Sequence, residues 1–431
     1  MPSWQRRPPL ATEVCLRVVA ALLAAALGAL LWVSTASAAT AYVRTEAQFQ
    51  QAVAAFHNTG GRVVLMPHLY RTELVVGPRS ARPLTIVGMR GARVQTLLLN
   101  ETRAVTLEHL FVSPLGADSH LIVDRSTHIL ISASTFTARG TRHIVELQLD
   151  HSSHVTVRNS SFAHCGDRSP EWSLCLLPQR ARHVLIEGNR FHDCRGCDFI
   201  HGYAGLDTTI RDNRFARALA CRTGSVKCLH QDLIELFSGT GLVITRNRFG
   251  VSQRGAAQVY LTNALNYVRI ANNLFLRSDP RAPGVHSPVG ILIGAAASPH
   301  LPHHVEIINN TVLSGWETAS HAPMSIAVSP RYARLKLANR PLMANNVLAR
   351  VRDGYLLCTG LRRSIRDVTE QRAACSPSDS LGPADLDDRG EPTSASQLLI
   401  DRADPDLAPP YDLTGRPRGA HPDIGCFEYV P

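Results

Sequence analysis

Lysine is almost missing. Of 431 residues only Lys227 and Lys336 are lysines, so the 45 basic side chains behind a formal net charge of +10 are nearly all arginine. An enzyme built on a lysine base therefore has almost nowhere to place one. Long apolar runs are equally scarce: Val18 to Val33 is the only such stretch, so nothing after it reads as a membrane span. The chain carries no nucleic-acid-binding signature, which turns its basic character toward other anions. Through the middle of the sequence no ten-residue helical stripe occurs, and helical repeats are disfavoured.

What is present is a short pattern that returns. A β-rich run, then Asn or Ser, any residue and Phe appears as Val-Thr-Val-Arg-Asn159-Ser-Ser-Phe162, Val-Leu-Ile-Glu-Gly-Asn189-Arg-Phe191, Thr-Ile-Arg-Asp-Asn213-Arg-Phe215, Leu-Val-Ile-Thr-Arg-Asn247-Arg-Phe249 and Val-Arg-Ile-Ala-Asn-Asn273-Leu-Phe275. Weaker copies end at Phe111 and Phe136 upstream, and at Asn310-Thr-Val312 and Asn346-Val-Leu348 downstream. The period of roughly 25 residues marks a solenoid whose unit is a coil of short strands. Equivalent residues then stack at about 4.8 Å. Phe should form an inward column, and the Asn amides should serve backbone groups that a turn leaves unpaired.

Residues 1–38 read as an export signal: Arg6, Arg7 and Arg17 precede the apolar run, and Ala36-Ser-Ala38 is a small-residue cleavage site. Removing them takes away three Arg and one Glu, leaving a net charge of about +8. Thr45-Glu-Ala-Gln48 is a capping box, with Phe49, Val53 and Phe56 at helical spacing before Asn58-Thr-Gly60-Gly61; this helix should cover the open end of the first coil. The expected organisation is a coil region over 39–350, a polar insertion over 351–400 and a segment over 401–431 that packs back on the coils.

Phe49 to Gly88 resembles the opening segment of secreted right-handed parallel β-helix proteins, the group that includes pectate lyases, alginate lyases and mannuronan epimerases. The Asn-x-Phe coils are similar to their repeats. Ala403-Asp-Pro-Asp-Leu, Tyr411-Asp-Leu-Thr-Gly415-Arg-Pro-Arg418 and Asp423-Ile-Gly-Cys-Phe-Glu428-Tyr429 resemble the closing segment of many such proteins, where a small residue usually stands at the place of Cys426. The resemblance implies an all-β, single right-handed parallel β-helix with an N-terminal capping helix. It is weak for function, since the group spans lyases, epimerases, hydrolases and proteins without known catalysis. Neither the Gly-His-Gly nor the Arg-Ile-Lys signature of polygalacturonases is present.

Nine cysteines follow the leader, which suits an oxidising compartment. Cys165 and Cys194 each stand three residues after a column Phe. Cys175 and Cys197 stand 14 and 16 residues ahead of Asn189 and Asn213. Stacking therefore favours Cys165–Cys194 and Cys175–Cys197, with Cys165–Cys175 as the rival; Cys221–Cys228 and Cys358–Cys375 would close loops, leaving Cys426 odd. Cys194-Arg-Gly-Cys197 has the form of half a zinc site, but no second pair stands at matching spacing, so no metal is assigned there.

The candidate site is Cys228-Leu-His230-Gln-Asp232-Leu-Ile-Glu235 with Arg195-Gly-Cys-Asp198-Phe-Ile-His201 on the coil before. Asp198 and Asp232 each lie 15 residues before their repeat Asn, and His201 and Glu235 share a register by the same count. Two stacked carboxylates raise one another's pKa or recruit a cation, for which Ca²⁺ is the candidate. They suit acid–base cleavage of a glycoside, or metal-assisted proton abstraction from a uronate. The plainer reading makes Asp198 and Asp232 acceptors of backbone N–H at the turn into a strand. Arg190, Arg214 and Arg248 directly follow a column Asn and form a second expectation, a row that suits carboxylate or sulfate, while Arg195 of the candidate stretch is a further substrate-binding candidate; Asp193, Glu187 and Asp212 are the charges available to offset the row. The expected protein is a secreted or envelope monomer acting on an acidic polysaccharide or anionic surface, its rival a non-catalytic surface scaffold.

Overall fold

The computed structural model describes residues 39–78, 82–113, 121–138, 145–165, 173–219, 232–250, 257–276, 289–294, 300–313, 326–349, 358–370 and 374–431. The leader, His230, Cys221, Cys228 and His286 lie outside the described residues. Ala41–Pro431 form one compact unit, and no helix among the described residues is long and apolar enough to cross a membrane.

The chain is a parallel β-helix. From Gly61–Leu65 onward the strands pair in parallel with their counterparts one coil away, in sheets of 20 and 13 described strands. One coil shows the plan: Arg190–Arg195 runs in the smaller sheet, and Cys197–Arg211 and then Arg214–Leu219 follow. Equivalent residues fall in register, as Ile186, Ile210, Ile244, Ile270, Ile307 and Met343 do along one inward column. All six are buried.

Phe136, Phe162, Phe191, Phe215, Phe249 and Phe275 form the aromatic column, with ring centroids 4.6–5.0 Å apart and planes within 10° of parallel. Stacking adds roughly 0.5–1.5 kcal/mol per pair to the area each ring buries. Phe111 does not join. Val112 is the residue in register with Phe136, while Phe111 pairs with Thr135 and lies under the Arg93 guanidinium. A one-residue offset in a strand reverses the face a side chain takes, and here it puts Phe111 outside.

Beside this column runs a ladder of amides. Each Asn Oδ1 accepts the backbone N–H and the side-chain Nδ2–H of the Asn one coil earlier: Asn189 to Asn213 at 2.9 and 3.1 Å, Asn213 to Asn247 at 3.0 Å, and so on through Asn273, Asn310 and Asn346. Each Nδ2 also donates to a strand-end carbonyl, as Asn247 does to Ile210 at 2.9 Å. The residue ahead of each rung turns through the left-handed region, as at Gly188, Asp212, Arg246, Asn272, Asn309 and Asn345. Asn159 holds that turning slot (φ 50°), so the rung is Ser160, whose hydroxyl accepts Ser134 N–H.

From Leu147 to Phe249 the coils keep one arc constant in length and vary the other. Fifteen residues separate Leu147 from Phe162, Leu176 from Phe191, Ile200 from Phe215 and Ile234 from Phe249, all register-equivalent positions. From Phe back round to the next such residue the count swings from nine (Phe191 to Ile200) to nineteen (Phe215 to Ile234).

The first coil is covered by α1, Glu46–Ala55, whose Thr45 hydroxyl accepts Gln48 N–H while Gln48 Oε1 accepts Arg44 N–H at 2.7 Å. Its Phe49 is buried. At the other end the expected insertion is in part another coil: Leu342 pairs with Arg363, Val347 with Val368 and Val368 with Ser380. Asp367 takes the place of Asn in the ladder, its Oδ1 accepting Asn346 N–H at 2.7 Å, and Asp379 Oδ1 accepts Asp367 N–H. Polar composition and the missing Asn hid this coil. The 401–431 segment lies on the turns, with Asn309 Nδ2 donating to the Asp423 and Gly425 carbonyls and Asn345 bonding Asp404. Phe427 and Ile424 pack with Leu274, Leu313 and Val347.

The bridges differ from the stacked expectation. Cys165 pairs with Cys175 and Cys194 with Cys197, while Cys358–Cys375 forms as expected and Cys426 is a buried free thiol among the described residues. Cys165 and Cys194 do stack, with Cys194 Sγ 3.2 Å from the Cys165 carbonyl. Cys197, however, lies in register with Ser173, so Cys175 falls two residues further on. Closing each corner within its own coil gives Cα separations of 5.4 and 6.0 Å, inside the range a bridge needs.

Candidate functional site

Gly196 turns the chain with φ 67° and delivers Asp198 to the start of the strand Cys197–Arg211; one coil on, Asp232 stands just ahead of Ile234–Thr245. Asp198 Oδ1 accepts Asp232 N–H at 2.7 Å and Asp232 Oδ1 accepts Ala257 N–H at 2.6 Å, a staircase over three coils. Both aspartates thus take backbone N–H groups at the turn, as the plainer sequence reading has it. Asp232 is fully buried and Asp198 is 6% exposed. Neither is placed to touch a large substrate directly.

The other half of the cluster is only slightly more open, with His201 and Tyr260 buried and Glu235 partly buried. His201 pairs with Glu235 across the sheet, and Glu235 with Tyr260. His201 Nδ1 stands 2.8 Å from Asp198 Oδ2 and 3.1 Å from Glu235 Oε2. Burial alone would depress this imidazole, but the two carboxylates outweigh it and push it up to about 10, so His201 is an imidazolium at neutral pH. Burial also raises the Asp198 carboxyl, against the pull of His201. Asp232 is raised well above the usual range by burial, then by Asp198 and Glu235. Burial keeps the Tyr260 phenol protonated, with Glu235 adding to it. Phe237 sets its edge against His201 at 5.5 Å and against Tyr203 at 4.6 Å, and Tyr203 is exposed.

Tyr260 is the residue the sequence reading missed. It lies 13 residues before Asn273, whereas His201 and Glu235 lie 12 before Asn213 and Asn247. A register shift between Phe237 and Gly239 absorbs the extra residue. Calcium does not fit the group: a hard ion takes six to eight oxygens, and here the place between Asp198 and Glu235 is filled by an imidazole nitrogen.

The arginines lie elsewhere on the coil. Arg190, Arg214 and Arg248 are in register, but in the smaller sheet rather than on the strands that carry His201 and Glu235. The charges expected to offset them are engaged otherwise: Glu187 with Arg211, Asp212 with Arg246 and Asp193 with Arg217. Among the described residues neither Arg190 nor Arg214 is paired with a carboxylate, and both are exposed. Arg248 lies over the Phe427 ring at 5.4 Å. Arg195, half-buried, stands at the end of the same strand as Arg190, in register with Leu219.

Residues 97–312 match the family described as a right handed beta helix region. No curated protein matches the chain. Among solved structures, an alginate lyase from Paenibacillus sp. str. FPU-7 is 13% identical with a TM-score of 0.46, covering 67% of this chain and 99% of that one. Pectate lyase Pel9A is 13% identical (TM-score 0.46; 91% and 97% covered). PfbA, a surface adhesin of Streptococcus pneumoniae, is 10% identical (TM-score 0.43; 70% and 87% covered). The chain belongs to the right-handed β-helix family, and its parallel coils are right-handed accordingly.

Proposed function

We propose that this right-handed β-helix protein is exported and acts on an acidic polysaccharide, with proton chemistry at Glu235 and Tyr260 and with His201 positioning them. The observation that carries this reading is the imidazolium held between Asp198 and the partly exposed Glu235, in register with a protonated tyrosine. Glu235 is placed to take the proton next to a uronate carboxylate, whose charge the imidazolium offsets. Tyr260 returns a proton to the departing glycosidic oxygen. The exposed Arg190 and Arg214 supply a separate anion-binding face, and the bridges suit an oxidising compartment.

The test is turnover of polyuronates by the purified chain, read as ultraviolet absorbance of the 4,5-unsaturated product and as new reducing ends. Wild type should produce unsaturated ends. Glu235→Gln and Tyr260→Phe should each lower kcat at least 100-fold, roughly the contribution of one acid–base group, with melting temperature little changed. Reducing ends without unsaturation would replace the lyase step by hydrolysis. Silence toward every polymer would favour a non-catalytic surface scaffold, a reading that the backbone-acceptor role of Asp198 and Asp232 supports.

A further inference from the structure

The sequence offers one Cys-x-x-Cys pair with no partner at metal-ligand spacing; the coil supplies the partner from a distance. Cys165 and Cys194 share a register one coil apart, and Gly196 turns Cys197 back toward them, while the corner brings in Cys175. The four sulfur atoms all lie within 4.8 Å of one another, and the four cysteines are at most 3% exposed. The group stops there, since Ala218 follows Cys194 in the column. Among the described residues the group consists of cysteines alone. One coil earlier, Glu146 occupies the position opposite Cys175, between the pairs Val145–Leu174 and Leu147–Leu176. It is buried, and burial raises its carboxyl well above the usual range against a smaller pull from the Ala138 backbone.

We propose that Cys165, Cys175, Cys194 and Cys197 constitute one soft-metal site, in which the reduced chain binds a single zinc-class ion through four thiolates as the alternative to its two disulfides. Four sulfurs converging from two coils match the closed tetrahedral sites such ions take, and sulfur selects them over hard cations. The exchange between the two states is balanced by a phosphine reductant. Each disulfide is opened by one phosphine, which takes an oxygen from water as two hydrogens go to the sulfurs. Binding the ion then releases the four thiol protons to solvent. The buried corner keeps the four sulfurs away from bulk water.

The experiment uses the full chain, reduced with a water-soluble phosphine under inert gas and titrated with Co²⁺ and then Zn²⁺. One Co²⁺ per chain, with an intense thiolate-to-cobalt band that one equivalent of Zn²⁺ abolishes, is the expected result. X-ray absorption should give four sulfurs at about 2.3 Å from zinc. The band should vanish in Cys194→Ser/Cys197→Ser and persist in Cys358→Ser/Cys375→Ser and Cys221→Ser/Cys228→Ser. Absence of binding at one equivalent, nitrogen or oxygen ligands in the absorption spectrum, or a band that survives loss of Cys194 and Cys197 would each overturn the proposal. If the corner variant fails to fold by circular dichroism, X-ray absorption on the unmutated reduced chain decides alone. None of these readouts depends on the glycan reading.

Discussion

Two staircases of side-chain oxygen climb the coils, and they meet the same need by different chemistry. In the Asn ladder each oxygen takes a backbone N–H and the amide beside it gives a proton onward, so every copy is donor and acceptor and the series extends from Asn189 to Asn346 without net charge. In the aspartate staircase Asp198 and Asp232 accept in the same manner but have nothing to donate when ionised. It spans only two acidic steps, and the His201 ring held between Asp198 and Glu235 supplies the compensating positive charge. An uncharged rung can be repeated indefinitely; a charged one needs compensation at each step, and that compensation is what makes chemistry available.

Breaking the neutral ladder should cost most. Asn247→Leu removes the acceptor of two Asn213 N–H bonds and the donor to Ile210 and Asn273, leaving buried groups unpaired. A loss of about 3–5 kcal/mol is expected in chemical denaturation, and a loss under 1 kcal/mol would mean that the amides are incidental to the coil.

The charged staircase should respond less, and with a pH signature. His201→Leu strands Asp198 and Glu235 without their cation and should cost about 2–4 kcal/mol at neutral pH. Because the folded histidine is raised to about 10, its contribution is complete below the free-histidine value near 6.5 and fades as pH rises through 10. Denaturation curves of wild type and variant should therefore converge toward pH 11. Curves that stay parallel would remove the imidazolium from the account.

The smallest effect tests the place where the two kinds of rung meet. Asp367 stands in the Asn column, and burial, with Asp379 adding, raises it to about 7 against its bonds from Asn346 and Ser364. A raised carboxyl favours the fold below its free value near 4 and loses that advantage as pH rises through 7. Asp367→Asn should thus melt a few degrees above wild type at pH 8 and show no gain at pH 5, a difference of about 1–3 kcal/mol. Equal gains at both pH values would contradict an ionising rung.

The sequence made the Phe column and most of the Asn ladder legible because both repeat every coil and both face inward, where register is enforced by burial. Asp198, Asp232, His201 and Glu235 were found by counting back from that ladder. Counting failed wherever the backbone gains or loses a residue locally: Tyr260 lies behind a bulge, Cys175 is two residues out of step with Cys197, and Phe111 sits one position from the inward face. The coil through Val368 escaped because Asp does in it what Asn does elsewhere. Composition shows neither that substitution nor a corner that holds four sulfurs together.

The corner that absorbs the length differences between Phe162 and Ile234 also has a bearing on how such a molecule changes over time. Between Phe215 and Ile234 nineteen residues are spent where nine suffice on the coil before, yet the columns on either side keep step. Segments can be gained, shortened or exchanged at that edge with no penalty to the interior, since closing a longer loop costs only a few tenths of a kcal/mol. That same edge leads into the strand of Glu235, so variation in surface loops can accumulate on a scaffold that need not be redesigned to accept it.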